Sequence, residues 1–181
     1  MHRLHHQYSD TDKDPHSPIR FGLWGVARGQ LKSYQKILRE LILNKKTTSA
    51  IVADIPFDVS VLNRKGLWPV PYLIHLSIGL AIGVLFNEWL VGMAYFLGMM
   101  SHPVQGWMVN SLAHRYGYQN FDTHDHSKNN VLVAWLIFGE GFQNNHHAHP
   151  ERANFAVKKN EIDLGYGLCK MGSRLGLLKI S

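Results

Sequence analysis

The stretch Gly139-Glu140-Gly141-Phe142-Gln143-Asn144-Asn145-His146-His147-Ala148-His149-Pro150 follows a short apolar run, Val131 to Phe138, and closes on adjacent imidazoles. Neighbours on a helix point roughly 100° apart, so His146 and His147 can reach two separate targets but cannot chelate one. A second group lies at the other end of the sequence, in His2-Arg3-Leu4-His5-His6. Its histidines stand at i, i+3 and i+4, which places them on one helical face. With His114 between, the two groups read as pieces of one metal site.

Neutral imidazole suits iron, zinc, copper and nickel, so histidine by itself does not choose the metal. There is no His-Glu-x-x-His, which argues against a zincin metalloprotease. There is no Glu-x-x-His either, which argues against a ferritin-like carboxylate di-iron bundle. The lone cysteine, Cys169, excludes an intrachain disulfide and a cysteine-based zinc site. Six histidines in three groups exceed what one tetrahedral zinc can use, and a two-metal site built mostly from histidine is the economical reading. The other histidines have ordinary readings: His75 and His102 as hydrogen-bonded packing, and His16, His124, His126 and His149 as solvated loop residues.

The elements that must position these groups read as helices. Residues 2–8 resemble the last turns of a helix, and Ser9 to Pro18 is a polar loop with two proline breaks. From Phe21 to Leu43, apolar residues recur every three to four positions among lysines and arginines, the pattern of an amphipathic helix suited to a membrane surface. Lys45 to Asn63 has no firm pattern. Leu67 to Phe86 and Trp89 to Leu112 are uncharged stretches separated by Asn87-Glu88, and at these lengths two membrane spans forming a tight hairpin are expected. Arg64, Lys65 and Arg115 flank the pair while the turn carries Glu88, so the positive-inside rule puts both ends, and the histidines, in the cytoplasm. Gly117 to Asn130 is a polar loop, and Val131 to Phe138 is expected to be a re-entrant or buried helix that delivers the Gly-Glu-Gly-Phe-Gln stretch. The expected fold is an all-α membrane protein, a single domain over residues 1–181, with a transmembrane hairpin and cytosolic helices carrying a histidine-rich di-metal site.

The 181 residues carry a formal charge of +6, with a pI near 9.5 and mean hydropathy of −0.15. No basic run is interleaved with aromatics, so nucleic acid is not an expected partner. An anionic membrane face or an acidic partner protein fits the charge better. The chain lacks an apolar signal segment after Met1, and a metal-binding helix at residue 2 has nothing before it to pack on. Met1 is therefore expected to be an internal start, with an N-terminal portion absent.

Here the residues carry a family resemblance. His2-Arg3-Leu4-His5-His6 followed by Asp14-Pro15-His16 resembles the second histidine box of integral-membrane acyl-chain desaturases. Trp107-Met108-Val109-Asn110-Ser111-Leu112-Ala113-His114 resembles the segment after their last membrane span, and Gly139 to His147 resembles their third box. The third box and the Arg152-to-Lys158 and Glu161-Ile162-Asp163 segments after it look most like bacterial stearoyl/Δ9-type desaturases. The resemblance implies a di-iron centre that uses O2 to remove two hydrogens from a saturated acyl chain. It implies His2, His5, His6, His114, His146 and His147 as iron ligands, Asn110 as holder of a metal-bound water, and Trp107 as a lining of the acyl tunnel. Asp10, Asp14 and Glu140 would orient imidazoles. The implied partners are an acyl-CoA or acyl-lipid substrate, O2, membrane lipid, and a small electron carrier of ferredoxin, rubredoxin or cytochrome b5 type. The implied location is the bacterial inner membrane.

Two departures shape the expectations. Gln143 stands where many members have a histidine, and an amide oxygen ligates weakly or not at all. The family's first histidine box and its two N-terminal spans have no counterpart before residue 2, so this chain alone is expected to bind iron poorly and be inactive. A di-iron hydroxylase on the same scaffold and a non-catalytic membrane remnant are the alternative readings.

Overall fold

A computed structural model describes residues 1–58 and 60–180. In chain order its helices are α1 (His2–Tyr8), α2 (Pro18–Ile42), α3 (Lys46–Ala50), α4 (Val61–Arg64), α5 (Val70–Leu85), α6 (Trp89–Met100), α7 (His102–Trp107), a π-helical turn (Met108–Leu112), α8 (Ala113–Arg115), α9 (Val131–Leu136), α10 (Gln143–Ala148) and α11 (Leu164–Arg174). Among the described residues no strand forms. Two isolated antiparallel pairings, Tyr118 with Asn129 and Asn129 with Phe142, are as near to a sheet as the chain comes. The chain divides into two units, one formed by Met1–Gln30 with Gln105–Ser181 and the other by Leu31–Val104.

The second unit corrects the expected membrane hairpin. No described helix is long and apolar enough to cross a membrane. The stretch 67–86 yields α5, 16 residues long, or about 24 Å at 1.5 Å per residue against a hydrocarbon core of about 30 Å. The stretch 89–112 does not form one helix. α6 ends after 12 residues at Ser101, whose hydroxyl takes the Gly98 carbonyl at 2.6 Å. His102-Pro103 then restarts the chain as α7, because proline has no amide hydrogen to donate to the preceding turn and its ring crowds that turn's carbonyl. An uninterrupted apolar run fixes composition but not helix length, and the spans were read from composition. α5 and α6 nevertheless pair tightly. A Cβ on Gly92 would stand 2.2 Å from the Gly79 carbonyl oxygen, so both positions must stay bare for the backbones to approach. His75 Nδ1 lies 2.9 Å from the Tyr95 hydroxyl across this pair, hydrogen-bonded as read from the sequence. His102, read the same way, is exposed.

The first unit has a small apolar core of Ala113, Val133 and Ile137, with Met108, Val109 and Leu112 against it. α9 presents Val133 and Ala134 inward while Leu132, Trp135 and Leu136 stay exposed. The Asn130 side chain caps α9 by accepting from the Val133 amide at 3.0 Å. The chain then reverses through Phe138 (φ 48°) and Gly139 (φ 101°). A Cβ on Gly141 would lie 2.1 Å from the Ala134 amide nitrogen, so the reversal packs directly on α9. The Gly-Glu-Gly-Phe segment is thereby a rigid bend that launches α10.

Candidate metal centre

α1 and α10 present five of the histidines. On α1, His2 and His6 are one turn apart and share a direction, while His5 is turned roughly 100° from His6. On α10, His146 and His147 diverge by the same angle. The outcome is two groups of three: His2, His6 and His146 in one, and His5, His114 and His147 in the other. His114 comes from α8, just past the π-helical turn.

In the first group the three Nε2 atoms form a triangle: His2 to His146 at 3.3 Å, His6 to His2 at 3.0 Å and His6 to His146 at 3.0 Å. Metal–nitrogen bonds of about 2.0–2.1 Å subtend edges of about 3.0 to 3.4 Å between right-angle and tetrahedral geometry. His146 also stacks on Phe155, with centroids 4.4 Å apart. Burial, and after it the neighbouring imidazoles, lowers His2 to about 4 and His6 and His146 to about 3. All three rings are therefore neutral at pH 7, the form that ligates.

In the second group each ring stands against a carboxylate. His5 Nδ1 is 3.0 Å from both oxygens of Asp14, His147 Nδ1 donates to Asp125, and His114 Nδ1 is 3.8 Å from Asp10. A carboxylate only accepts, so the proton of His5 and of His147 sits on Nδ1 and Nε2 is left with its lone pair. Both Nε2 atoms, and both nitrogens of His114, are buried with no hydrogen-bond partner. Leaving such an atom unsatisfied costs about 1–3 kcal/mol, and a metal ion removes that cost, so the residues present fit one. The ring centroids lie 4.9 to 5.0 Å apart. Burial opposes ionisation of Asp10 and Asp125, but it is outweighed by the nearby His114 ring, the His126 amide and Ser17 for Asp10, and by hydrogen bonds from His147 and Ser127 for Asp125. Both carboxyls are held well below the usual range.

The structure thus brings the six sequence-identified histidines together, and gives the other candidates different partners. Asn110, in the π-helical turn, donates to the Gly106 carbonyl at 2.8 Å. Gln143 is buried and donates to the Glu140 carbonyl at 2.8 Å. Trp107 stacks on Trp24 at 5.1 Å and donates to the Leu23 carbonyl at 2.7 Å. Of the three orienting acids, Asp10 and Asp14 face imidazoles. Glu140 instead faces no imidazole: the residue is exposed, and desolvation of its carboxyl first and the Asp163 charge second raise its pKa. His16 corrects the loop reading: it is 3 % exposed and lies 4.4 Å from His5, centroid to centroid. His124 is exposed, and His126 is mostly exposed with its ring 3.4 Å from Asp10.

Sequence reasoning missed the polar scaffold behind α10. Glu161 accepts from the Tyr118 hydroxyl, the Asn120 and Asn145 amides, and the backbone amides of Val157 and Lys158, at 2.6 to 2.9 Å. Asn145 also bonds Asn129 and the Phe155 carbonyl, and Asn144 accepts from the amides of Asn120 and Phe121. Two adjacent asparagines before two histidines were the available signal, since buried amides persist only when fully bonded. Two cavities adjoin the cluster. One of about 670 Å³ is lined by His6, Thr11, Phe121, Asp122, Asp125 and His147, among others. The other, about 590 Å³, has Ile19, Leu23, His114, Arg115, His126 and Lys128 in its wall.

Comparison with known proteins carries this geometry to a family. A fatty acid desaturase family model matches residues 1–160. The chain is 32% identical over 192 residues to hex-5-enoyl-[acyl-carrier protein] acetylenase of Moorena producens, covering 98% of this chain and 58% of that protein. It is 34% identical over 180 residues to an acyl-CoA 5-desaturase of Anemone leveillei, covering 97% and 52% respectively. Against an sn-1 stearoyl-lipid 9-desaturase of Synechocystis sp. it is 32% identical over 179 residues, covering 99% and 53%. The chain spans about half the length of these curated relatives. With most of its length matched by the family model and its histidines gathered in two threefold groups, the chain belongs to the fatty acid desaturase family.

Proposed function

We propose that this chain carries the metal centre of an oxidoreductase that desaturates acyl chains, with two iron ions held by the two histidine groups. The observation that carries the reading is the convergence of six imidazoles into two groups of three, with buried ring nitrogens on His5, His114 and His147 that lack a hydrogen-bond partner. His2, His6 and His146 would hold one ion and His5, His114 and His147 the other. Iron bound there would supply O2-dependent oxidation of a C–H bond, with electrons from a small carrier protein of ferredoxin, rubredoxin or cytochrome b5 type.

The chain's own residues set the conditions for that chemistry. Asp14 and Asp125 fix the Nδ1 tautomer of His5 and His147 and aim their Nε2 atoms. Phe155 on His146, and the burial of His5 and His114, keep water from the ring nitrogens. The acyl substrate, as a thioester or a lipid ester, approaches through the cavity that touches His114, whose apolar Ile19 and Leu23 suit the chain and whose Arg115 and Lys128 suit an anionic carrier or headgroup. The corresponding location is the bacterial inner membrane with the histidines on its cytoplasmic side, a reading supported by the net charge of +6.

The test is anaerobic loading of the purified chain with ferrous iron, followed by metal analysis and mass spectrometry of fatty acids after addition of O2, reductant and a saturated acyl thioester or lipid. Against the expectation from sequence that this chain alone binds iron poorly and is inactive, the two converging groups lead us to expect up to two irons per chain. His146→Ala should lower that content, and any double bond formed should be lost with it. Iron content unchanged by His146→Ala would sink the reading.

A further inference from the structure

One imidazole in the cluster has no place in the two groups of three. His16 follows Pro15 in the loop after α1, is 3 % exposed, and has neither ring nitrogen hydrogen-bonded. It lies with Asp14 and His5 so that one possible ligand atom from each falls within 4.8 Å of the others, and all three residues are buried. The Asp14 carboxylate already accepts from His5 Nδ1, the Asp10 amide and the His16 amide. These bonds fix the carboxylate and anchor the backbone of His16, so the spacing of imidazole and carboxylate is held from both sides.

Neutral imidazole offers one donor and one acceptor nitrogen, and burial leaves His16 with neither in use. A buried water could serve one of them. An acceptor nitrogen beside an ionised carboxylate, however, presents lone pairs and negative charge to a common space, which favours a cation over a neutral molecule. Imidazole with carboxylate selects a divalent first-row metal ion. We propose that Asp14 and His16 form a third cation position, next to His5 and separate from the two three-histidine groups. A cation there takes one Asp14 oxygen and one His16 nitrogen while His5 keeps its proton on the other Asp14 oxygen, so no proton need be lost. With two protein ligands where the other groups have three, it fills last.

This inference builds on the reading of the six histidines as ligands, but its test separates the two. Cobalt(II) is titrated anaerobically into the full chain, with bound ions counted by equilibrium dialysis and followed by the cobalt visible bands. Three ions per chain are expected, the last binding at least tenfold more weakly. His16→Ala and His16→Gln should each stop at two with the first two affinities kept, and His124→Ala should still reach three. If the native chain stops at two, or either His16 variant reaches three, the third position is overturned while the two-metal reading stands. If the paired variant His146→Ala/His147→Ala still takes up all three ions, the two-metal reading fails instead. Circular dichroism of each variant confirms that its fold is retained, and the glutamine variant serves if the alanine variant unfolds.

Discussion

The two histidine groups are built differently although α1 and α10 serve both. His2, His6 and His146 meet nitrogen to nitrogen, and among the described residues no carboxylate pairs with them. His5, His114 and His147 lie at similar centroid spacings, and each faces an aspartate across one ring nitrogen. The first group, exposed at His2 and buried only at His146, is shaped by helix geometry, and the more buried second group by charges brought from loops. A carboxylate behind a ligating imidazole raises its basicity and locks its tautomer. On the proposed reading the second group therefore holds its ion the tighter, and the first depends on the docking of α1 against α10.

Removing a ring gives the largest effect. His147→Ala should lower cobalt affinity at the second group by more than about 100-fold, beyond the 10–100-fold typical of losing an outer partner. It should leave the first group within a few-fold in the same titration. Equal losses at both would show that the six rings act as one unit. Asp125→Asn should come next, with about a 10–100-fold loss confined to the second group. No loss there would mean that the aspartates are not what distinguishes the groups.

Acid should probe the first group without mutation. The pKa values of His2, His6 and His146 are depressed on folding, so the unfolded chain binds protons that the folded chain does not. Their contribution to the stability of the metal-free chain is whole above about pH 6.5. It declines as pH falls from there toward their folded values of about 4 and about 3. Thermal melts at intervals between pH 7 and pH 4 should show this decline, and His2→Ala/His6→Ala should flatten it. A variant that declines as steeply as the native chain would place the acid sensitivity elsewhere.

Glu161→Gln should be milder for the metal and general in its reach. Burial opposes ionisation of Glu161, but its five donors outweigh that and hold its pKa below the usual value, so its contribution is present above the ordinary glutamate pKa and lost as pH falls through the lowered one. The substitution should lower stability at pH 7 by about 1–3 kcal/mol, read by urea unfolding. Because Asn145 ties Glu161 to α10, both groups should weaken together by a few-fold. A change in one group alone would break the picture of a shared support.

The site was more legible in the sequence than the fold was. Helical spacing of His2, His5 and His6 and the adjacency of His146 and His147 are local facts, and local periodicity survives folding. His16 and Asp125 were hidden because loops have no period, and a polar run between prolines or asparagines reads as solvated whether or not it is buried. The spans misled for a related reason. Residues 89–112 are uniformly uncharged, but the Ser101-His102-Pro103 step ends the helix, and hydropathy does not register backbone geometry. The π-helical turn Met108–Leu112 was beyond reach as well, since one extra residue in a helical turn leaves no compositional trace.

The adjacency of His146 and His147 on a six-residue helix has one more consequence. A helix this short moves as a single piece, so a shift that seats one ring unseats or seats its neighbour. Whichever ion arrives first would have to arrest that motion, and the second would find it already stilled. Uptake of the two ions by this chain should accordingly be weakly cooperative, by no more than the few-fold that the His147→Ala titration allows at the first group.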